Sequence, residues 1–115
     1  MPILAIVEDL FFRAKLETAA TQLGTALTVA SPEQSLEAFQ GRAWQLVIID
    51  LNVSSGDPLG LLRAIRKGAP TVPIIGYCAH VQRELQAEAA SAGCTTVLPR
   101  SAFVRRLPEL LSGPR

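Results

Sequence analysis

The feature that most constrains the fold is a series of short, continuously apolar segments that alternate with stretches of helical period. The clearest is Leu46 to Ile49, an uninterrupted apolar run that ends at Asp50. A strand that is apolar on both faces is typical of the centre of a parallel sheet, because helices cover both faces of such a sheet. Ile3 to Val7 is a second segment of this kind and ends at Glu8 and Asp9. We therefore expect a parallel sheet between two layers of helices.

Five strand-and-helix units follow one another along the chain. The predicted strands are Ile3 to Val7, Ala26 to Ala30, Leu46 to Ile49, Val72 to Tyr77 and Thr95 to Leu98. After each of them, apolar residues recur at helical spacing: Phe12, Leu16, Ala19, Ala20 and Leu23; Leu36 and Phe39; Leu59, Leu62 and Ile65; Leu85 and Ala89; Phe103, Leu107, Leu110 and Leu111. Strict alternation predicts an α/β domain in which right-handed crossovers build an open parallel sheet. The functional crevice of such a sheet lies at the carboxyl ends of its strands.

Local signals predict where several helices begin or break. The tetrad Ser31-Pro32-Glu33-Gln34 has the form of a capping box, with serine as the cap and proline at the first helical position. Asp57, followed by Pro58, is expected to cap the third helix. Pro108 lies inside the last helical segment, so we expect that segment to be short, kinked or broken.

The composition is that of a small globular protein and excludes several classes of function. Of 115 residues, 49% are hydrophobic and 18% are charged, and the formal net charge is +1. The apolar fraction excludes intrinsic disorder, and no apolar run approaches the roughly 20 residues that span a bilayer. A near-neutral charge argues against a nucleic-acid partner. Cys78 and Cys94 form no CxxC pair and no metal-binding set, so we expect a location in the reducing cytoplasm.

Acidic residues follow two of the predicted strands at one edge of the sheet. Glu8 and Asp9 come after the first strand and Asp50 after the third, while Arg100 follows the fifth. Carboxylates that lie close together need a cation, which can be a hard, oxygen-liganded ion such as Mg²⁺ or the guanidinium of Arg100. The alternative is that these acids cap helices or form surface ion pairs. Residues 8–12 contain no glycine, which excludes the dinucleotide and Walker A phosphate loops.

Four segments, in this order, resemble the receiver domains of bacterial two-component response regulators. Ile3 to Asp9 resembles the first strand with its acidic pair, and Leu46 to Leu51 resembles the strand that presents the phospho-accepting aspartate. Asp57 to Arg63 resembles the helix after the active-site loop, and Ala92 to Ala102 the fifth strand and its exit. The resemblance implies a three-layer α/β/α sandwich with a five-stranded parallel sheet of order 2-1-3-4-5, the flavodoxin-like fold. It also implies one receiver-like domain over residues 1–115, without an output domain.

The resemblance assigns roles to the residues at the sheet edge. It implies that Asp50 accepts a phosphoryl group and that Mg²⁺ is bound by Glu8, Asp9, Asp50 and the backbone carbonyl of Asn52. The implied partner is a histidine kinase or another signalling protein. We expect a monomer or a weak homodimer with no enzymatic activity beyond phosphorylation and dephosphorylation of Asp50.

The sequence departs from the family at its switching positions. Cys78 stands where threonine or serine is usual, and a thiol is a weaker hydrogen-bond donor than a hydroxyl. Arg100 stands at the lysine position, and its planar fork can pair with Asp50 without any phosphoryl group. Val97 replaces the usual aromatic residue. We therefore expect an atypical signalling or interaction module whose conventional phosphorylation switch is lost or altered. The alternative is a functional single-domain response regulator, phosphorylated on Asp50 with Mg²⁺.

Two further groups of residues each allow two interpretations. Arg105 and Arg106 are expected to open the last helix, and Arg83 lies on the helix before it. In the family this face carries dimer or target contacts, so the arginines suit an acidic protein partner or form an ordinary solvated face. Cys78 is either a redox-sensitive thiol or a small buried hydrophobic residue. A disulfide between Cys78 and Cys94 also stays open.

Overall fold

The fold is a five-stranded parallel sheet between helices, as the sequence predicts. The computed structural model describes residues 2–40, 42–52, 57–79 and 83–112. The strands in these ranges are β1 (Ile3–Ile6), β2 (Leu27–Ala30), β3 (Leu46–Asp50), β4 (Ile74–Cys78) and β5 (Thr96–Pro99). The helices are α1 (Leu10–Leu23), α2 (Ser35–Phe39), α3 (Pro58–Gly68), α4 (Arg83–Ala92), α5 (Arg100–Arg105) and α6 (Leu107–Leu111). All strand pairs are parallel and their order is β2-β1-β3-β4-β5, so the predicted sandwich and strand order are confirmed.

Side-chain alternation along the strands divides the core into two layers. The layer that includes residues of α1, α5 and α6 contains Ile3, Ala5, Leu46, Ile48, Ile75, Tyr77, Phe12, Leu16, Phe103 and Leu111. The layer that includes residues of α2, α3 and α4 contains Leu4, Ile6, Val47, Ile49, Ile74, Phe39, Leu62, Ile65 and Ala89. Asp50 follows Ile48 by two positions and is the register partner of Tyr77. Its side chain therefore lies on the same side of the sheet as α1 and α5.

Two aspartates cap the helices that leave the carboxyl edge of the sheet. Asp9 caps α1, where its Oδ1 accepts hydrogen bonds from the backbone N–H groups of Phe11 at 2.9 Å and Phe12 at 3.4 Å. Asp57 caps α3 by accepting the N–H of Gly60 at 3.1 Å, as predicted. Capping satisfies backbone donors that have no partner within the helix.

The predicted start of the second helix is wrong. Residues 31–34 form a turn in which the N–H of Gln34 donates to the carbonyl of Ser31 at 3.1 Å, and α2 begins only at Ser35. The side chain of Ser35, rather than that of Ser31, makes the local bond, donating to the carbonyl of Pro32 at 2.7 Å. Because α2 has only five residues, it buries Phe39 but leaves Leu36 40% exposed.

The last helical segment is broken, as Pro108 predicts. Helix α5 ends at Arg105, and α6 begins at Leu107 with Pro108 in its first turn, where the missing proline N–H breaks no helical bond. The expectation that Arg105 and Arg106 open the last helix is wrong, because Arg105 ends α5 and Arg106 lies at the junction. In the described ranges, no helix is long and apolar enough to cross a membrane.

Candidate functional site

The structure brings Asp50, Asp9 and Arg100 together at the carboxyl edge of the sheet. Asp50 is the last residue of β3 and is only 4% exposed. Asp9 follows β1, and Arg100 is the first residue of α5, so three different strands deliver these side chains. The ion pair of Arg100 is with Asp9, at 3.7 Å between Nη1 and Oδ2. Among the described residues Arg100 forms no such pair with Asp50, so the Asp50–Arg100 ion pair considered from the sequence is not the one observed.

Asp50 occupies an environment that disfavours its negative charge. Burial raises the pKa of the Asp50 carboxyl, and this effect outweighs the hydrogen bond from the N–H of Asn52, at 2.8 Å to Oδ1, and the charge of Arg100. The negative charges of Glu8 and Asp9 raise the pKa further. Ionisation of Asp50 therefore destabilises the resting fold, and binding of any group that neutralises this charge is favoured.

The carboxylates do not form a ready-made metal site in this arrangement. Carboxylate and carbonyl oxygens are the ligands that Mg²⁺ prefers, but both oxygens of Asp9 are engaged, Oδ1 by the first turn of α1 and Oδ2 by Arg100. In the part of the chain that the structure describes, no three histidine, cysteine, aspartate or glutamate side chains are grouped closely enough to hold a metal ion. A cation at Asp9 would share these oxygens with Arg100 and with the first turn of α1.

Arg100 lies over a cluster of three aromatic rings. Its guanidinium carbon is 5.3 Å from the ring centre of Phe12 and 5.8 Å from that of Tyr77, distances typical of cation–π contacts. Tyr77 is in turn packed against Phe12 at 4.6 Å and Phe103 at 5.0 Å between ring centres. The Nε atom of Arg100 is buried and has no hydrogen-bond partner among the described residues. The rings and Asp9 together fix the arginine beside Asp50.

Tyr77 is a site residue that the sequence analysis missed. It is fully buried, and its hydroxyl has no hydrogen-bond partner in the described ranges. Burial raises the pKa of Tyr77, and the charge of Asp50 raises it further, so the hydroxyl lies near that carboxylate, although the two form no hydrogen bond of acceptable geometry. The available signal was a tyrosine in an otherwise apolar strand, directly before Cys78.

Two further residues near Asp50, Cys78 at the end of β4 and Asn52 just beyond β3, contact neighbouring backbone groups. The thiol of Cys78 is buried, with its Sγ 3.9 Å from the carbonyl oxygen of Leu98. The side chain of Asn52 accepts the backbone N–H of Ala79 at 2.6 Å, a contact the sequence analysis did not predict because it considered only the carbonyl of Asn52. The residue two positions beyond Asp50 is thus linked to the residue that directly follows β4.

The two cysteines are not joined in a disulfide and are too far apart to form one. Cys78 is the register partner of Pro99, whereas Cys94 directly precedes Thr95, whose N–H donates to Ile74 at the other end of β4. Four residues of strand separate these positions, roughly 13 Å, and a disulfide needs Cα atoms about 4.4–6.8 Å apart. Burial raises the pKa of Cys94 to about 11, which makes this thiol a poor nucleophile.

The family assignment rests on a match along nearly the whole chain. The model of the response regulator receiver domain matches residues 3–112. This chain belongs to that family. No curated protein matches the sequence significantly.

Solved structures of receiver domains have the same fold. The receiver domain of NtrX from Brucella abortus is 26% identical, with 94% of this chain and 92% of that chain covered and a TM-score of 0.79. A CheY-like receiver domain protein from Methanospirillum hungatei is 17% identical, with 95% and 88% covered and a TM-score of 0.84. A response regulator from Burkholderia pseudomallei, solved with a phosphorylated aspartic acid, a calcium ion and citrate, is 18% identical, with 96% and 65% covered and a TM-score of 0.85.

Proposed function

We propose that this receiver domain is an atypical signalling and interaction module in which the conventional phosphorylation switch is altered. The observation that carries the proposal is the placement of Arg100, which is paired with Asp9 and lies over Phe12 and Tyr77. An arginine held in this way provides the acidic edge with a permanent counter-charge. The resting domain therefore already contains a positive charge next to Asp50 before any metal or phosphoryl group binds.

The residues that would transmit a conventional switch also support this proposal. A conventional switch requires a hydroxyl that pulls a loop inward and an aromatic ring that follows it. The thiol of Cys78 is a weak donor, and the N–H of Ala79 is already bonded to Asn52. Val97 is the register partner of Gly76 and packs on the opposite side of the sheet from Asp50, where it has no ring that could change position.

Under this proposal Mg²⁺ binds weakly at Glu8, Asp9, Asp50 and the carbonyl of Asn52. The chemistry of these donors suits the ion. Weak binding follows because a cation at Asp9 has to compete with the positive charge of Arg100, which lies 3.7 Å from Oδ2. We expect its affinity to rise when Arg100 is replaced by a neutral residue.

A second candidate is a functional response regulator that accepts a phosphoryl group on Asp50. The burial of Asp50 beside Arg100 favours it, because a buried carboxylate next to a cation suits phosphoryl transfer from a small acyl phosphate such as acetyl phosphate. In that step a carboxylate oxygen of Asp50 forms a bond to phosphorus while the bond from phosphorus to acetate breaks and acetate leaves.

The two candidates are separated by a two-dimensional amide NMR titration with Mg²⁺, followed by beryllofluoride as an acyl-phosphate mimic. The altered-switch proposal predicts changes confined to the neighbourhood of Asp9, Asp50 and Asn52. Changes that spread to Val97 and to α5 and α6 would show a conventional switch and contradict it. The variant Asp57→Asn is the matched control, because Asp57 is an exposed carboxylate at the same edge that caps α3.

The interaction surface is also part of this proposal. Arg83, Arg105 and Arg106 are exposed near the ends of α4 and α5, and their charge suits an acidic surface on a histidine kinase or another signalling protein. Charge reversal at these three positions should then weaken binding of such a partner. The loss of affinity relative to the wild type should be larger at low salt than at high salt. A location in the cytoplasm, with neither cysteine in a disulfide, belongs to the same proposal.

A further inference from the structure

Two buried polar groups beside Asp50 form no well-aligned hydrogen bond with any described residue, while their neighbours do. The hydroxyl of Tyr77 and the Nε of Arg100 have no hydrogen bond within the described part of the chain. By contrast, Asp50 accepts the N–H of Asn52, and the side chain of Asn52 accepts the N–H of Ala79. Native proteins rarely leave a buried donor unsatisfied, so each such group calls for an explanation.

Packing does not explain the Tyr77 hydroxyl. The ring of Tyr77 packs against Phe12 and Phe103, and a phenylalanine at this position would make the same ring contacts. The hydroxyl therefore adds the cost of burying a polar group without a well-formed hydrogen bond in return. It lies on the side of the sheet that faces α1 and α5, the same side as the carboxylate of Asp50.

We propose that the Tyr77 hydroxyl donates to an oxygen of a phosphoryl group carried by Asp50, beside the Nε of Arg100, which stands at the position of the family's phosphoryl-binding lysine. Both groups carry hydrogen, one on a phenol and one on a cation, so together they favour an anionic oxygen. Tyr77 then supplies the hydroxyl that Cys78 lacks, from the adjacent position of β4 and from the opposite side of the sheet. This inference rests on the second candidate function, in which Asp50 accepts a phosphoryl group.

The raised pKa of Tyr77 is consistent with this role, because it keeps the phenol protonated at all ordinary pH values. A phosphoryl group brings negative charge to a place where Arg100 is already oriented by Phe12 and by Asp9. The donor pair is thus arranged before the anion arrives, which lowers the cost of ordering it.

The test is the variant Tyr77→Phe, measured in two states. In the resting state we expect a melting temperature a few degrees higher than that of the wild type, because an unsatisfied buried hydroxyl is removed. In excess Mg²⁺ we expect beryllofluoride to bind to the variant at least about tenfold more weakly than to the wild type, measured from the amide shifts of Asp50 and Asn52.

The matched control is Ser35→Ala, which removes a buried hydroxyl that does have a partner, the carbonyl of Pro32. It should lower the melting temperature and leave beryllofluoride binding unchanged.

Each other outcome overturns the inference, and the outcomes can be told apart. If Tyr77→Phe lowers the melting temperature and binds beryllofluoride as the wild type does, the hydroxyl is already satisfied at rest, by Asp50 or by an internal water. If both proteins bind equally and the variant is more stable, the hydroxyl is simply unused. If the wild type does not bind beryllofluoride, Asp50 is no acceptor and the second candidate fails as well. The altered-switch proposal is judged separately, by whether the wild-type changes reach Val97, α5 and α6.

Discussion

Replacing Asp50 with asparagine should stabilise the resting domain at neutral pH. The substitution keeps the shape of the side chain and its Oδ1, so the bond from the N–H of Asn52 at 2.8 Å can persist. What it removes is a negative charge that is only 4% exposed and has like charges on Glu8 and Asp9 nearby. A buried polar group with incomplete partners costs about 1–3 kcal/mol, and more when it is charged. Arg100 recovers part of this cost, so we expect a gain of about 1–2 kcal/mol in the free energy of unfolding.

The gain should depend on pH in a defined direction. Burial raises the pKa of Asp50 in the folded state, so the folded protein holds this proton more tightly than the unfolded chain does. The stability that protonated Asp50 contributes is complete below the unfolded pKa, about 3.9, and is lost as the pH rises through the folded pKa. The stability advantage of the asparagine variant is therefore largest at neutral pH. It disappears below about pH 4, where the Asp50 carboxyl is neutral in both the folded and the unfolded state.

Urea denaturation at pH 7 and at low pH measures this difference directly. The control is Asp57→Asn, in which asparagine keeps the cap on α3 and an exposed charge is lost, so little change is expected at either pH. A loss of stability at pH 7 for Asp50→Asn would refute the reasoning. So would a gain of equal size at both pH values, because that gain could not come from the charge.

Three further predictions concern the surrounding structure. Gly93→Ala should cost about 2–4 kcal/mol in denaturant unfolding, because Gly93 has a φ of +128° and a Cβ there would lie 2.7 Å from Cβ of Arg66; a cost below about 1 kcal/mol would contradict this. Asp9→Ala should lower stability by about 1 kcal/mol through loss of the α1 cap, whereas Asp9→Asn should retain it, and equal losses would show that the cap is not responsible. Under mild oxidation Cys78 and Cys94 should form no intrachain disulfide, as measured by non-reducing mass spectrometry. Cys94 should also react slowly with a thiol reagent at pH 8. A disulfide-linked species would require the register of β4 and β5 to change.

The sheet was predictable because its strands are continuously apolar and few other structures accommodate such segments. Leu46 to Ile49 is buried throughout, as expected of a central parallel strand. The start of α2 was not predictable from its capping pattern, because the same residues, Ser31 to Gln34, also form a hydrogen-bonded turn. A helix of five residues gains too little from a cap to decide between the two.

The members of the site were largely predictable, but their pairing was not. Position after a strand placed Asp9, Asp50 and Arg100 at one edge, and the structure brings them together. Whether a long arginine side chain turns to Asp9 or to Asp50 depends on the rings beneath it, which come from distant parts of the chain. The role of Tyr77 was missed for the same reason, since its hydroxyl matters only through its position relative to Asp50.

The strength of the contacts that hold Arg100 decides whether an altered switch can still respond. Its ion pair with Asp9 is 3.7 Å long, with side chains 39% and 37% exposed, and such pairs contribute about 0.2–1 kcal/mol. Cation–π contacts with Phe12 and Tyr77 add roughly 0.5–2 kcal/mol. A charge-assisted hydrogen bond to an ionised oxygen contributes about 1.5–3 kcal/mol, so two of them exceed what holds the arginine at rest. These contacts therefore give Arg100 one arrangement beside Asp50 at rest, and hydrogen bonds to an anion carried by Asp50 would be stronger than they are.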